Sequence, residues 1–560
     1  MDNSFASRLN TIKAPWVFLM LWVITFVLYI ATARGGWVID AAGFLYNMKH
    51  QSFWDFINRT NSTDQSFYQL LTLHYYIFYK IWGFNTWLWG ILYITIQALN
   101  ATLFFVFFRN ILTDSGIKKS TLLPLVGVLI FTCSPYISEI LVCRAYYHYL
   151  QSFFFIFLIL LWIQKYMHSQ QIKYIWYSII VFVLCAFTLE IFYLIPILAL
   201  TVMLYYRYAL NYDKIIFRKT LAFFFVPQLV MLGLYFVALL ATFKNFKPHK
   251  IDLHLSVVDY LSKLPKYLFH IVFLGRFFPP AIKDKVYAAC ESPVTLIILY
   301  GLLLFVFVYA IGRLSKISSY SKAMFLLFTL AIINICFLMP LPFPGSALLV
   351  FYDRYTYFTD AFVYLLLAML VAKWVQNKYV LIVLFCACVD LNLFFTIQLN
   401  TYWMESDVIN TRLLRHLPDP GAKTVLLLNL PENMNGAPMI GAQPEGMYKM
   451  MKETLSDTIL SNNIYDVASY NMTNDYDGAN VTVINDSVIR VTLNHTGNWW
   501  WYEGHGARSY ETPDYSVNMK DPGRWYEITL KHPASQYLLL YSVGDKWKTA
   551  DMSKLNVQQD

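Results

Sequence analysis

Charged residues are scarce in this chain. They make up only 14% of its 560 residues, whereas 58% are hydrophobic and 18% are aromatic. Soluble globular domains average about 25% charged residues, so the composition argues against that class and predicts a polytopic membrane protein. The formal net charge is +9, but the basic residues lie in short clusters between apolar runs, without a DNA- or RNA-binding motif. We therefore expect a lipid bilayer as a partner and no nucleic acid.

Three further features are missing. None of the seven cysteines falls after Cys388, which excludes a disulfide framework or a CxxC zinc site in the hydrophilic tail. The chain has no glycine-rich phosphate loop, so no motif predicts a bound nucleotide. The first apolar run, at 15–33, is long enough to span a bilayer and lacks a small-residue cleavage site. We interpret it as a transmembrane helix rather than a signal peptide.

Long apolar runs recur along the first 400 residues. A helix of about 17–25 such residues crosses the hydrocarbon core of a bilayer. The runs predict eleven spans, at 14–33, 86–108, 120–138, 147–163, 174–189, 191–206, 220–242, 293–312, 322–341, 355–373 and 379–398. Two of these, 174–189 and 191–206, are short for separate crossings, which leaves a single tilted helix or a re-entrant hairpin open there.

The basic residues predict how these spans are oriented. Lys and Arg in short loops stay on the cytoplasmic side, and with the N-terminus inside, alternate short loops are basic and the tail after residue 399 faces outward. The outer loop 243–292 departs from this pattern because it carries eight Lys and Arg residues. Either it is an exception of the kind that long loops tolerate, or its segment 257–278 forms an interfacial helix whose basic surface meets a phosphate.

Ionisable residues gather at the loops predicted to be outside. Charged groups at membrane depth are expensive and usually serve a pathway or a site. Each also has a structural interpretation: an acid offsets a helix dipole, a histidine packs in a core, or an arginine extends to the interface. Their convergence on one side favours a site. The residues concerned are Asp40, Glu139, Arg144, His148, Glu190, Asp353 and Arg354.

The composition turns polar near residue 403. Alternating apolar and polar residues flank Asn485 and Asp486, which predicts a β-hairpin. Further strands are predicted in KTVLLLNL, RWYEITL and QYLLLYSV, and a helix in MYKMMKETLSD. We therefore expect a mainly α membrane domain at 1–402, with outer loops 34–85 and 243–292. A small extracytoplasmic α+β domain is expected to follow at 403–560.

Four segments resemble motifs of the GT-C superfamily, polytopic glycosyltransferases that use polyprenyl-phosphate-linked sugars at the outer leaflet. IDAAGFLYN resembles the acidic position after the first span, and LTLHYYIFYKIWG is similar to the stretch that leads into the next span. TLEIFYLIP looks like the acidic segment midway along many members. FYDRYTYFTD resembles the Arg-Tyr-x-Tyr segment of relatives that include eukaryotic O-mannosyltransferases with TPR repeats. The chain as a whole resembles bacterial dolichyl-phosphate-mannose-protein mannosyltransferase-like proteins. In order, these segments contain Asp40, His74, Glu190 and Arg354. Unlike many members, the chain has no second acid beside Asp40, so a second acid, if the reaction needs one, would come from Asp55, Asp64 or another loop.

The resemblance implies an inverting transfer of a hexose or pentose to an acceptor hydroxyl. We expect Asp40 to be the base, because desolvation at the edge of an apolar cavity raises the basicity of a carboxylate. Glu190 would orient sugar hydroxyls or an arginine. Guanidinium groups bind phosphate through parallel hydrogen bonds. The expected phosphate-binding residues are Arg354, Arg144, Arg276 and Lys247, and the expected sugar or acceptor contacts are His74, His148, Tyr355 and Trp500.

Two other functions stay open. A transporter or flippase for lipid-linked glycans is also polytopic, although the chain shows no clear internal repeat. A non-catalytic assembly factor for cell-envelope glycans would keep the fold without the chemistry. The acceptor is left open among glycan, lipid and protein. A divalent cation is neither required nor excluded, and no metal-ligand cluster stands out in the sequence. The resemblance implies a bacterial inner membrane, with a cytoplasmic N-terminus and a periplasmic C-terminal domain.

Overall fold

A computed structural model describes most of the chain. It covers residues 12–38, 40–57, 67–117, 120–244, 256–341, 353–441, 447–456, 460, 463–500, 509–521 and 523–552. At residues 40, 447, 455, 456 and 500 the description extends to the backbone alone.

The first three quarters of the chain are helical. This is expected for segments in hydrocarbon, where each backbone N–H and C=O group must be satisfied within its own segment. The helices up to residue 415 are α1 (Ala14–Tyr29), α2 (Asp40–His50), α3 (Gln69–Trp82), α4 (Thr86–Asp114), α5 (Leu122–Thr132), α6 (Ser138–Val142), α7 (Tyr147–Ser169), α8 (Lys173–Ala186), α9 (Ile195–Leu204), α10 (Lys214–Thr220), α11 (Val226–Phe243), α12 (Val257–Val272), α13 (Pro280–Glu291), α14 (Pro293–Gly312), α15 (Ser319–Leu338), α16 (Asp353–Trp374) and α17 (Lys378–Arg415). A short helical segment also lies at 53–57.

The helices coincide with the predicted apolar runs. Within the described residues, eight helical segments are long and apolar enough to cross a membrane, or nine if the bent pair α5 and α6 forms one span. The chain is therefore an integral membrane protein. The two remaining predicted spans fall on α1 and α8, which have 16 and 14 residues. Helices of that length rise only about 21–24 Å against a hydrocarbon core of about 30 Å, so the predicted count of eleven crossings is not confirmed.

A bend of 58° separates α5 from α6. The connecting 3-10 turn begins at Pro135, and proline disfavours helical backbone in the residue before it. Ser134 caps the turn, because its hydroxyl accepts a hydrogen bond from the backbone N–H of Tyr136 at 3.3 Å. After the bend, Glu139 lies in α6 with 0% of its surface exposed.

The segment predicted as an interfacial helix contains α12. Its first turn is capped reciprocally: Asp259 N–H donates to the Ser256 hydroxyl at 3.0 Å, and Ser256 N–H donates to the Asp259 carboxylate at 3.3 Å. The basic side chains of α12, Lys263, Lys266 and His270, are buried. The basic face of this helix therefore points into the protein, and its location in the membrane interface stays a prediction.

Contacts between loops show which helix ends lie on the same side of the helical part, and they give two sets of ends. One set is linked by Arg109 to the Ile12 carbonyl (3.1 Å), His168 to Asp114 (3.1 Å) and Lys322 to the Ala209 carbonyl (3.0 Å). The opposite set includes Gly36, Glu139 and Arg354. These are the same two groups of loops that the charge pattern predicts. Which end faces the cytoplasm stays a prediction.

The part after residue 415 is a mixture of small sheets and one helix, as predicted. Its elements are β1 (Thr424–Leu427), β2 (Leu430–Met434), β3 (Ala437–Pro438), α18 (Met447–Ser456), β4 (Ile464–Asp466), β5 (Ser469–Met472), β6 (Ala479–Val483), β7 (Val488–Leu493), β8 (Trp499–Trp500), β9 (Tyr510–Glu511), β10 (Tyr515–Asp521), β11 (Trp525–Leu530), β12 (Tyr537–Val543) and β13 (Lys546–Thr549). The strand orders are β13-β12-β1-β4, β6-β7-β11-β10-β9 and β3-β2-β5-β8. The predicted hairpin around Asn485 is confirmed as the antiparallel pair β6 and β7.

These sheets dock on the last turns of α17. The Tyr448 hydroxyl and the Trp547 indole N–H both donate to the Leu413 carbonyl, at 2.7 and 2.8 Å. Ala42 of α2 belongs to the hydrophobic core of the C-terminal part, and Ala437 of β3 belongs to the core of the helical part. The two parts therefore share an interface. Because α17 continues to Arg415, the boundary between 402 and 403 stays a prediction.

Candidate functional site

The backbone that leads into Asp40 is held by Arg144. This arginine is 1% exposed. Its guanidinium Nη2 donates to the Ala33 carbonyl at 3.0 Å and Nη1 to the Leu141 carbonyl at 2.9 Å. Its backbone N–H donates to the Gly36 carbonyl at 2.9 Å. Because these bonds go to backbone carbonyls, Arg144 positions the segment after α1, and its predicted contact with phosphate stays untested.

Two glycines allow this close approach. Gly36 has a φ of +92°, and a Cβ atom there would lie 1.8 Å from the Val142 carbonyl oxygen. A Cβ atom at Gly35 would lie 2.4 Å from the carboxyl carbon of Asp407 on α17. At Gly36 only glycine fits without moving backbone, whereas at Gly35 the Asp407 side chain would have to move. The segment before Asp40 therefore packs closely against both α6 and α17.

Asp40 is the first residue of α2. Its side chain lies outside the described part of the structure, so its role as the base stays a prediction. The other end of α2 contacts the C-terminal part: the Lys49 ammonium donates to the carbonyls of Glu453 and Thr454, at 3.3 and 3.1 Å. The helix that Asp40 begins is thus fixed between Arg144 on one side and α18 on the other.

Arg354 forms a buried pair with Glu139, 215 residues earlier in the chain. Its backbone N–H donates to one carboxylate oxygen at 2.8 Å, and its Nη1 donates to the other at 2.5 Å. The guanidinium carbon lies 4.3 Å from the ring centre of Tyr146 and 4.9 Å from that of Tyr355. A carboxylate and two aromatic faces therefore fix the orientation of this cation.

The preceding residue, Asp353, has two partners of its own, Arg276 and His270. Arg276 Nη1 donates to Asp353 Oδ2 at 2.7 Å, and His270 Nε2 lies 3.2 Å from Asp353 Oδ1. Tyr136 stacks on His270 with ring centres 4.4 Å apart. We call Glu139, His270, Arg276, Asp353 and Arg354 the buried ion-pair cluster; none of them is more than 6% exposed.

Glu190 shares the neighbour Tyr149 with this cluster. It occupies the 3-10 turn Glu190–Leu194, and the Tyr68 hydroxyl donates to its Oε1 atom. Tyr149 is within electrostatic range of Glu190, Glu139 and Arg354. The predicted acid of TLEIFYLIP and the predicted arginine of the Arg-Tyr-x-Tyr segment are therefore brought to one region of the molecule.

The predicted sugar and acceptor contacts have different surroundings. His74 stacks on Tyr147 with ring centres 3.8 Å apart, and burial lowers its pKa to about 3, so it is neutral. The His148 ring lies 4.7 Å from Tyr149, beside the cluster. Tyr355 lies beneath Arg354.

Two predicted residues cannot be placed. Lys247 lies outside the described residues, as does the side chain of Trp500. The adjacent Trp499 is 1% exposed and packs edge-to-face on Tyr526 at 4.9 Å. Trp499 is therefore a core residue of the sheets.

The sequence interpretation missed His270. The only available signal was the spacing of Lys263, Lys266 and His270, which puts three basic residues on one face of a helix. That spacing does not reveal whether the face points to water or into the protein. Within the described residues, no group of three or more His, Cys, Asp or Glu side chains is arranged to hold a metal ion.

Comparisons with known proteins yield a distant structural similarity. No protein-family model matches the chain, and no curated protein sequence matches it. The chain is similar to ArnT from Cupriavidus metallidurans bound to undecaprenyl phosphate, with 13% identity, a TM-score of 0.35, and coverage of 83% of this chain and 94% of that one. For the apo state of the same protein, the identity is 14% with the same TM-score and coverage.

Proposed function

We propose that the chain is a membrane glycosyltransferase of the GT-C kind. It would move a sugar from a polyprenyl-phosphate carrier to an acceptor hydroxyl at the outer face of the membrane. The observation that carries this proposal is the buried ion-pair cluster, in which two guanidinium groups from distant segments are held by carboxylates. Charged groups in a membrane protein are kept mainly where they serve a site, and preoriented guanidinium groups suit a phosphate.

The role of the cluster would be to stabilise the departing lipid phosphate. When the bond between sugar and phosphate breaks, negative charge grows on the phosphate oxygens. Cations that are already oriented stabilise this charge without having to reorganise during the reaction. Glu139 and Asp353 supply that orientation for Arg354 and Arg276, and the surrounding aromatic rings limit the access of water.

Asp40 would accept the proton of the acceptor hydroxyl, and Glu190 would orient the sugar. Arg144 would act on this chemistry indirectly, by fixing the backbone before Asp40. Inversion at the sugar carbon follows if the acceptor displaces the phosphate in a single step. Among the predicted sugar contacts, His148 and Tyr355 adjoin the cluster, and His74 would contribute a flat neutral ring.

The test compares envelope glycans and glycoproteins in cells that carry Asp40→Asn, Asp521→Asn or the parent chain. We expect Asp40→Asn to remove the glycan product while protein levels stay normal. Asp521 is an exposed acid of the C-terminal part that accepts a hydrogen bond from the Gly523 N–H at 3.0 Å, so Asp521→Asn should leave the product unchanged. If Asp40→Asn also leaves it unchanged, the chain is not the transferase proposed here and the assembly-factor function is favoured.

A reconstituted assay separates the enzyme from a transporter. Proteoliposomes that contain the purified chain, a lipid-linked sugar and an extract of envelope components as the source of the acceptor hydroxyl should release free polyprenyl phosphate as the sugar is joined to the acceptor. Movement of the intact lipid-linked sugar between leaflets, without cleavage, would contradict the proposal.

A further inference from the structure

A buried lysine, Lys283, lies next to the buried ion-pair cluster but is not bonded to any of its members. Lys283 is in the first turn of α13 and is 2% exposed. Its electrostatic neighbours are Arg276, Asp284 and Asp353. Among the residues that the structure describes, its ammonium group makes no hydrogen bond and no ion pair.

The other buried lysines of this region are satisfied. Lys266 Nζ lies 2.6 Å from Glu291 Oε1, and Lys263 Nζ donates to the Leu341 carbonyl at 2.5 Å. Both belong to α12, which packs against α13. Lys283 therefore differs from these two lysines, which are also buried, because no described residue is its partner. Burial alone does not explain why Lys283 lacks a partner.

The surroundings of Lys283 disfavour a positive charge. Removing an ammonium group from water costs free energy unless it is paired. The nearby Arg276 repels it, and the carboxylate of Asp353 already accepts from Arg276 at 2.7 Å. The first turn of a helix also carries partial positive charge. Burial, followed by the proximity of Arg276, lowers the pKa of Lys283 to about 8.

An anion between the two cations would remove this conflict. We infer that Lys283 and Arg276 together bind the phosphate of a polyprenyl-phosphate lipid, with Lys283 as its second cationic ligand; this rests on the proposed function. A phosphate oxygen would accept from the compact Lys283 ammonium, and others would accept from the planar Arg276 guanidinium. The ammonium then gains the partner that the described residues do not provide.

The test uses the full-length protein in detergent and follows thermal unfolding with three probes. The probes are farnesyl phosphate, farnesol and inorganic phosphate. The variants are Lys283→Met and Lys283→Arg. Lys285→Met is the matched control, because Lys285 is exposed two residues along the same helix.

We expect the parent to be stabilised by farnesyl phosphate and much less by farnesol or inorganic phosphate. Without a probe, Lys283→Met should raise the Tm, because methionine fills a similar volume without an unpaired charge. The same variant should bind farnesyl phosphate at least tenfold more weakly. Lys283→Arg should retain part of the binding, and Lys285→Met should match the parent in both measurements.

Several results would overturn the inference. If Lys283→Met lowers the Tm or prevents folding, Lys283 has a structural role. If Lys283→Met binds farnesyl phosphate as tightly as the parent does, Lys283 is not a ligand. Equal stabilisation of the parent by inorganic phosphate and by farnesyl phosphate shows a site for free anions. If farnesyl phosphate does not raise the Tm of the parent protein, both proposals are contradicted. If binding depends on Lys283 but Asp40→Asn leaves glycans unchanged, only the proposed transferase function fails.

Discussion

At the residue scale, the charges of Glu139, Asp353, Arg276 and Arg354 are buried in pairs. Such a pair contributes little net stability compared with apolar side chains of the same volume, because both charges lose their hydration. Removing one partner is different, since it leaves the other charge buried alone. Net stability therefore does not explain the cluster, which is compatible with the anion-binding role proposed for it above.

The burial of Glu139 and Arg354 as a pair predicts a specific pattern of stabilities. Glu139→Gln should destabilise the protein by about 3–5 kcal/mol, because the Arg354 guanidinium loses its carboxylate. The double variant Glu139→Leu, Arg354→Met should recover much of the lost stability and still lack sugar transfer. Thermal unfolding of the purified variants, together with the transfer assay, measures both effects.

The control for this prediction is an ion pair on the surface. Arg490 and Glu527 are paired at 3.1 Å between β7 and β11, with side chains 41% and 20% exposed. Glu527→Gln should change stability by less than about 1 kcal/mol. A double variant at 139 and 354 that is less stable than both single variants would contradict the explanation.

At the element scale, the segment between α1 and α2 depends on glycine. A Cβ atom at Gly36 would collide with the backbone of α6, and one at Gly35 would meet the Asp407 side chain of α17. Arg144 also forms hydrogen bonds with this segment at Ala33 and Gly36. The position of α2, and with it the backbone of Asp40, therefore follows from packing around this segment rather than from α2 itself.

Gly36→Ala tests this dependence. The new Cβ would meet the Val142 carbonyl, and the positive φ is unfavourable for alanine. We expect a lower Tm and a loss of sugar transfer of tenfold or more. Gly43→Ala is the matched control, because an added Cβ there meets nothing within 4 Å inside helix α2.

In that control, alanine should stabilise the helix by about 0.5–1 kcal/mol and leave transfer intact. A Gly36→Ala protein with normal transfer would show that the close packing at Gly36 does not position the site.

At the scale of the whole molecule, α17 links the helical part to the sheets. Its 38 residues rise about 57 Å, well beyond a hydrocarbon core of about 30 Å. Its last turns carry the C-terminal part, which returns to contact α2 through Lys49 and α18. The C-terminal part is thus coupled to the helix that begins at Asp40.

Lys49→Met should loosen this coupling. The Lys49 ammonium satisfies carbonyls in the last turn of α18, where a cation also interacts favourably with the helix dipole. Hydrogen–deuterium exchange of the full-length protein should increase in 40–50 and in 447–456, with weaker sugar transfer. Lys49→Arg should restore both.

The matched control is Lys449→Met on α18. Its pair with Glu453, four residues along the helix at 4.0 Å, is worth only about 0.3–0.5 kcal/mol. Unchanged exchange in 40–50 for Lys49→Met would contradict a coupling through this contact.

Local sequence patterns are sufficient to locate most helices and strands of this protein. Apolar runs located the helices, because a chain in hydrocarbon must satisfy its backbone locally and helices do so within one segment. Alternation of apolar and polar residues located strands such as β7 and β11, since successive side chains of a strand face opposite sides. The distribution of Lys and Arg among the short loops predicts which loops lie together at each end of the helical part.

The tertiary structure decided which side chains meet. Nothing local in the sequence links Glu139 to Arg354 across 215 residues, and the basic spacing on α12 fits a solvated face as well as a buried one. Arg144 has the residue type of a phosphate ligand, yet its described hydrogen bonds go to backbone carbonyls. Periodicity encodes the face of an element, whereas the partner of that face is fixed only when distant elements pack together.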